Sequence, residues 1–377
     1  MRKRNPIVVM VGPDINGLGG ISTVVRLWKN TGLFSSSGVE YLATYSGRQR
    51  KLWHLLERLT TFLLMCRKNC KAVYIHTASH RSFYRKSLFL ILGRMLRKPV
   101  VLHIHPTLFC DFVEDSKGLL RAFMLAVIRR AACLVVLSEE METRLSALFP
   151  EIPIFILPNA VDLQEANKYT APRREKRTLI FLGLYVPEKG VYDLVDAIKI
   201  LIGNGFEVSL DFYGTNEIDR LRRYVMDLNL SQYITVNDWI GDSEKFIQLS
   251  RSAALVLPSY TEGMPNVVLE AMATKTPIIA TRVGGLKELL RHAENAFVAE
   301  VRDPQDLSDK IRLCIENEEM RNRLAEAAYR DVAMKYDIRK IHPGFTSIME
   351  WIQNDGKRSP SNKSGLANKK GRRRAAI

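Results

Sequence analysis

The sequence predicts an α/β protein of two doubly wound domains, and three observations carry that prediction. The chain is 377 residues long, more than one ordinary hydrophobic core organises. Short apolar runs rich in β-branched residues alternate with longer helical patterns, as parallel sheets covered by helices require. The alternation pauses at a polar stretch, residues 163–177 (LQEANKYTAPRREKR), and then restarts.

In the first half the predicted strands are Pro6–Val11, Ala72–His76 (AVYIH), Pro99–His105 (PVVLHIH), Cys133–Leu137 and Ile154–Leu157. A glycine-rich turn, Gly17–Gly20, follows the first strand, and a helix begins over Ile21–Trp28. In the second half the strands are Thr178–Leu182, Glu207–Phe212, Ala254–Leu257 and Pro277–Thr281, with a helix over Tyr192–Gly203. Residues 306–335 read as terminal helices and Pro343–Gln353 as one more. The expected organisation is a first Rossmann-like domain over 1–165, a second over 166–340, a terminal helix over 341–355 and a basic disordered tail over 356–377. Ligands in such sheets bind where loops and helix starts converge at the carboxyl ends of the strands.

Composition narrows the class. With 46% hydrophobic and 25% charged residues, the chain is globular. Its net charge of +16 is unevenly placed: +11 over 1–165, −3 over 166–355 and +8 in the last 22 residues. Such asymmetry points to a polyanionic partner such as lipid headgroups or phosphorylated substrates. Nucleic acid is not expected, because the KKGRRR of the tail lacks interleaved aromatics and a recognisable binding fold. Five scattered cysteines (Cys66, Cys70, Cys110, Cys133 and Cys314) form no disulfide framework or zinc pattern and suit a reducing cytoplasm. The basic start, MRKR, precedes an apolar run too short for a signal peptide, and no run reaches the ~20 apolar residues of a membrane span.

The chemistry is concentrated in residues 254–290. A strand ends at Leu257-Pro258-Ser259, a loop follows over Thr261–Met264, and Pro265 suits the first turn of a helix through Ala273. Glu262 then sits on the loop before the helix and Glu270 about one turn into it. Free N–H groups at that helix start attract an anion such as a diphosphate. Two carboxylates beside it would repel one, so they must serve hydroxyl-rich parts of the same ligand, a sugar and a ribose.

The run E-G-M-P-N-V-V-L-E-A-M-A, followed by P-I-I-A-T-x-V-G-G-L-x-E-L, resembles the E-x7-E segment of the family-4 retaining glycosyltransferases. The resemblance extends to about residue 340. It implies the GT-B fold, two facing Rossmann-like domains with a cleft between them. It also implies donor-sugar contact for Glu262, ribose contact for Glu270, and sugar or phosphate contact for the backbone near Met264, Asn266 and Val267. Gly19 and Gly20 resemble the family's N-terminal glycine loop, close to donor phosphate or acceptor. His105 follows a strand where the family carries a histidine near the reaction centre; His103 shares its strand face, and His76 is a similar, weaker case. Phe181–Gly190 (FLGLYVPEKG) resembles the G-R-L-x-x-x-K-G loop, making Lys189 the partner of the diphosphate. Leu184 stands where the family's arginine would. Gly214 matches a glycine beside the donor base.

The resemblance implies a nucleotide-sugar donor as co-substrate, with no cofactor and no metal; the chain also lacks a D-x-D signature. Glu262, His105 and Lys189 would serve the reacting centre, and the acceptor would be a glycan or lipid-linked molecule of cell-surface polysaccharide or glycolipid synthesis. Three basic-apolar stretches, Arg48–Lys71, Arg81–Lys98 and Leu119–Arg130, read as helices that could rest on an anionic membrane surface. The expected location is cytoplasmic, peripheral on the inner face of the cell membrane. Two other readings fit the same motifs: a nucleotide-sugar epimerase of the same fold, and a non-catalytic nucleotide-sugar-binding protein, the latter supported by Leu184.

Overall fold

A computed structural model describes residues 7–44, 52–67, 70–169 and 175–354. The whole predicted tail, 356–377, and parts of the linker and of the stretch Arg48–Lys71 lie outside these residues. The chain divides into two compact units. Val161–Asp337 form one; the chain before Val161, joined by the helix Ile338–Gln353, forms the other.

The first unit is built on six parallel strands: β1 (Ile7–Gly12), β2 (Val39–Ala43), β3 (Cys70–Thr77), β4 (Val100–Ile104), β5 (Cys133–Val136) and β6 (Ile154–Ile156). Their order is β2-β1-β3-β4-β5-β6. The central strands are buried on both faces, which is why they read as continuous apolar runs and not as alternating ones. The helix Ile338–Gln353 packs its apolar side on one face of this sheet. Phe345 lies 5.2 Å, ring to ring, from both Trp28 and Tyr74, and Trp351 lies 5.2 Å from Phe155.

The second unit repeats the plan with β7 (Thr178–Tyr185), β8 (Ser209–Asn216), β9 (Ile234–Asn237), β10 (Ala254–Leu257), β11 (Ile278–Thr281) and β12 (Phe297–Ala299). The order is β12-β11-β10-β7-β8-β9, again parallel. Counted from its own first strand this is 3-2-1-4-5-6 read from the other edge, the doubly wound nucleotide-binding order. The chain reverses direction across the sheet between β7 and β10. Beyond the ends of those two strands stand Lys189 and Glu262.

Some expectations are corrected. The sequence reading misses β2, β9 and β12. The expected linker is not wholly irregular: Asp162 caps a short helix, Leu163–Ala166, by accepting from the N–H groups of Gln164 and Glu165. Pro265 is not inside the first helical turn. It is the residue before it, with ψ at 123°, and the helix is Asn266–Ala273.

Candidate functional site

In the second unit the site forms from the loops that follow β7 and β10. After β7 a single 3-10 turn, Pro187–Lys189, ends at Gly190, whose φ is +66°. A Cβ there would stand 2.1 Å from the carbonyl oxygen of Pro258. Only glycine permits both that conformation and that approach. The two loops are also joined by the Tyr260 N–H, which donates to the Glu188 carbonyl at 2.8 Å.

This closeness brings Lys189 to Glu262. Lys189 Nζ donates to Glu262 Oε1 at 2.6 Å, and Ser259 Oγ donates to the same oxygen at 2.7 Å. Glu262 is only 7% exposed, so its charge depends on these partners. The Glu262 carbonyl accepts from the Gly285 N–H at 3.2 Å. Gly285 is tight against the loop: a Cβ on it would meet the Gly263 carbonyl oxygen. Met264 is buried beneath the loop.

The helix Asn266–Ala273 has no acidic residue in its first turn and no side-chain cap from Pro265. The positive end of the helix dipole, at Asn266 and Val267, thus has no carboxylate of its own first turn beside it. Glu270, 6% exposed, is held by a different cation. Lys245 Nζ donates to Glu270 Oε1 at 2.6 Å and reaches Asp242 Oδ1 at 3.3 Å. Burial alone would lower the Lys245 ammonium, but Glu270 and Asp242 together outweigh burial and raise it. The site thus holds two carboxylate–lysine pairs, not the single acidic pair visible in the sequence.

Gly214 lies within β8, in register with Gly183. A Cβ on it would meet the Gly183 carbonyl oxygen and the Tyr185 ring, so the strand pair needs glycine here for packing. Leu184 is half-buried near the end of β7, paired with Thr215. Arg282 is exposed and donates to the Lys287 carbonyl at 3.1 Å.

In the first unit Gly19, with φ at +127°, precedes the helix Gly20–Asn30 and accepts from the Thr23 N–H. Ser22 Oγ and an Arg26 nitrogen hold the loop by donating to the carbonyls of Asp14 and Ile15. His105 lies one residue past β4, its N–H donating to the Thr77 carbonyl. The predicted sharing of a face is borne out: the His103 and His105 rings stack at 4.1 Å. The parallel pairing of β3 with β4 sets His76 opposite His103, and His76 Nδ1 lies 2.9 Å from His105 Nε2. Burial pushes all three imidazoles down, His103 to about 3, so each is neutral near pH 7. Neutral imidazoles of this kind suit hydroxyl binding better than proton donation.

The basic-apolar helices divide. The helix Arg81–Met95 buries Phe83, Phe89 and Leu90, so most of its apolar side faces the core. The helices Leu52–Arg67 and Gly118–Ile128 expose large apolar side chains, Trp53 at 79% and Leu119 at 91% among them. Among the described residues no helix is long and apolar enough to cross a membrane.

Lys245 and Ser259 escape sequence reading. Lys245 stands 25 positions before Glu270 on another helix, and no local motif marks it.

Residues 164–331, a little under half of the chain, match the family model described as glycosyl transferases group 1. The chain is 34% identical over 172 residues to an uncharacterized glycosyltransferase of Methanocaldococcus jannaschii, covering 45% of this chain and 47% of that protein. It is 26% identical over 258 residues to the putative teichuronic acid biosynthesis glycosyltransferase TuaC of Bacillus subtilis, covering 66% and 64%. The matches thus span about half to just under two thirds of these relatives. Among solved structures, sucrose-phosphate synthase from Thermosynechococcus elongatus superposes with a TM-score of 0.76 at 17% identity, covering 93% of this chain and 99% of that one. Anabaena HepE in complex with UDP-glucose gives 0.71 at 16%, covering 91% and 99%. The fold is therefore the expected GT-B class, two Rossmann-like units each built on a six-stranded parallel sheet.

Proposed function

We propose that this chain is a retaining glycosyltransferase that moves a sugar from a nucleoside diphosphate donor to a glycan or lipid-linked acceptor in cell-surface polysaccharide or glycolipid synthesis. The observation that carries the reading is the meeting of Lys189 and Glu262 beside the start of the helix Asn266–Ala273, at the point where the second sheet reverses its strand order. The group 1 match over 164–331 spans these residues. The names of the relatives, one of them in teichuronic acid synthesis, and a fold shared with a UDP-glucose complex support it.

In this reading the donor diphosphate lies against the N–H groups near Met264, Asn266 and Val267, with Lys189 beside it. Loss of the nucleotide leaves charge on the phosphate oxygens, and fixed donors aimed there lower the barrier most. The acceptor hydroxyl attacks from the face the nucleotide leaves, and the departing phosphate oxygen takes its proton. Glu262 binds sugar hydroxyls and keeps Lys189 in place; it is not a nucleophile. Glu270, fixed by Lys245, takes the ribose hydroxyls, and Gly214 lies beside the base. His105, as a neutral imidazole, binds donor or acceptor hydroxyls near the reacting carbon, and Gly19 and Gly20 bring backbone close to phosphate or acceptor. The donor chemistry requires no metal.

The exposed Trp53 and Leu119 helices, on the strongly basic first half of the chain, favour an anionic membrane surface as the place where the acceptor is met. A thermal-shift and hydrolysis screen over UDP-, GDP- and ADP-sugars tests the donor assignment. Stabilisation by one nucleotide class is expected, and no response to any of them overturns it. Flotation with anionic and neutral vesicles tests the surface; equal failure to bind both removes it.

A further inference from the structure

The first unit holds a histidine cluster of which the proposed transfer reaction uses only His105. His76 on β3, His103 on β4 and His105 just beyond it each place a ring nitrogen within 4.8 Å of the others. All three are buried. His103 Nδ1 is engaged by the Tyr74 hydroxyl at 3.0 Å, while its Nε2 is buried and has no partner among the described residues. His76 Nε2 is in the same condition. Two buried ring nitrogens in one cluster without a hydrogen bond are unusual, since buried polar atoms are nearly always satisfied.

We propose that His76, His103 and His105 form a binding site for a divalent transition-metal ion of the zinc class. Three geometric facts support it. His103 on β4 and His105 just past its end, two positions apart, with His76 opposite His103 on β3, bring three imidazoles together on one side of the sheet. A tetrahedral ion with imidazole nitrogens at ~2.0 Å separates neighbouring ligand nitrogens by about 3.3 Å and ring centres by about 5 Å. Here the ring centres lie 5.1, 5.1 and 4.1 Å apart; to take the ion, the His76–His105 hydrogen bond of 2.9 Å opens and His105 turns out of its stack on His103. Finally, an outer hydrogen bond that fixes one ring nitrogen and leaves the other bare is the usual support of a metal-binding imidazole. The Tyr74 hydroxyl gives His103 that support.

Three neutral imidazoles leave the fourth position of the ion for water or an acceptor oxygen. Lys86 is the opposing charge: it bears electrostatically on both His76 and His105. Its Nζ is engaged within its own helix, donating to Ser82 Oγ at 3.2 Å.

The test uses the full chain without a histidine tag. Protein stripped with EDTA is dialysed against Zn2+ and its metal content measured, then titrated with Co2+ and followed by visible absorption. One equivalent of Zn2+ and the intense spectrum of four-coordinate cobalt are expected; less than a tenth of an equivalent overturns the proposal. X-ray absorption at the zinc edge of the wild-type protein should give a nitrogen and oxygen shell, and sulfur in that shell places the ion on cysteines and overturns it. His103→Leu should lose the ion, and Tyr74→Phe should bind it about ten-fold more weakly. Undiminished Zn2+ in a folded His103→Leu protein refutes the site.

Discussion

Lys189 and Glu262, 73 positions apart, are joined at 2.6 Å by the loops that follow the first and fourth strands of the second unit. The pair explains why a carboxylate is tolerated where a diphosphate is expected. Its charge is already answered by Lys189 and Ser259, and the ammonium retains further N–H donors for phosphate.

The first prediction concerns that pair. Lys189→Ala and Glu262→Ala should each lower sugar transfer by at least about 100-fold, the scale of losing one preorganised donor at a developing charge. Circular dichroism should report an intact fold in both. The loss at Lys189 should fall on kcat, since the charge it answers grows as the nucleotide departs. Full activity in either purified variant refutes the assignment.

Gly190 is the backbone condition for the same contact. Gly190→Ala adds a Cβ to a residue with φ +66°, against the Pro258 carbonyl. We expect a loss of ~2–4 kcal/mol in urea unfolding, with reduced transfer. Gly205→Ala is the control: φ is +73° but nothing lies within 4 Å of the added carbon. It should cost only about 1–2 kcal/mol and leave transfer unchanged.

These two residues mark what is legible in the sequence. The buried strands are legible because both faces pack apolar side chains, which gives runs such as AVYIH and PVVLHIH. The missed strands, β2, β9 and β12, are all edge strands of three to five residues, and VEYLA or ITVN carries no such run. The E-x7-E segment is legible because Glu262 and Glu270 lie in one short local run, a loop and the helix that follows it. Lys189 is legible through the likeness of its loop, but its pairing with Glu262 is not, and Lys245 is not marked at all, because both contacts arise from loop and helix packing. Likewise His103 and His105 are visibly a pair, whereas the role of His76 depends on the register of β3 against β4.

Lys245 provides the third prediction. With Lys245 at 13% and Glu270 at 8% side-chain exposure, the pair is largely withdrawn from water. Lys245→Met should destabilise the protein by about 3 kcal/mol, because it leaves a buried carboxylate without its cation. If Glu270 reads the ribose, the donor KM should rise about ten-fold with kcat little changed, the pattern of lost ground-state binding. Adding Glu270→Gln should recover most of the stability and none of the donor affinity. A wild-type KM in Lys245→Met would show that the lysine serves folding alone.

Leu184 marks the position where the resembled motif carries an arginine. It is half-buried near the carboxyl end of β7, on the strand that leads to Lys189. Leu184→Arg should add a cation beside the departing phosphates and raise kcat for the preferred donor by about ten-fold, equivalent to ~1.4 kcal/mol of extra charge stabilisation. Steady-state rates at saturating donor decide it. An unchanged or lower rate would mean that this site meets the charge without that residue.

The histidine cluster sets a pH dependence whose sign is fixed. Burial depresses His76, His103 and His105 below the ordinary value of 6.5, His103 to about 3. Above 6.5 the imidazoles are neutral in both folded and unfolded chains, and the fold has its full stability. Below 6.5 the unfolded chain binds protons that the folded chain refuses, so stability falls as pH falls, for His103 down to about 3. Each histidine contributes at most ~1.4 kcal/mol per pH unit in that window. Urea unfolding of EDTA-treated protein at pH 7.5, 6 and 5 should therefore give a steep decline between 6 and 5. In His103→Leu the decline should be shallower by about one proton, while the variant is less stable at pH 7.5. An identical slope in the two proteins would mean that His103 takes up its proton as readily in the folded chain as in the unfolded one.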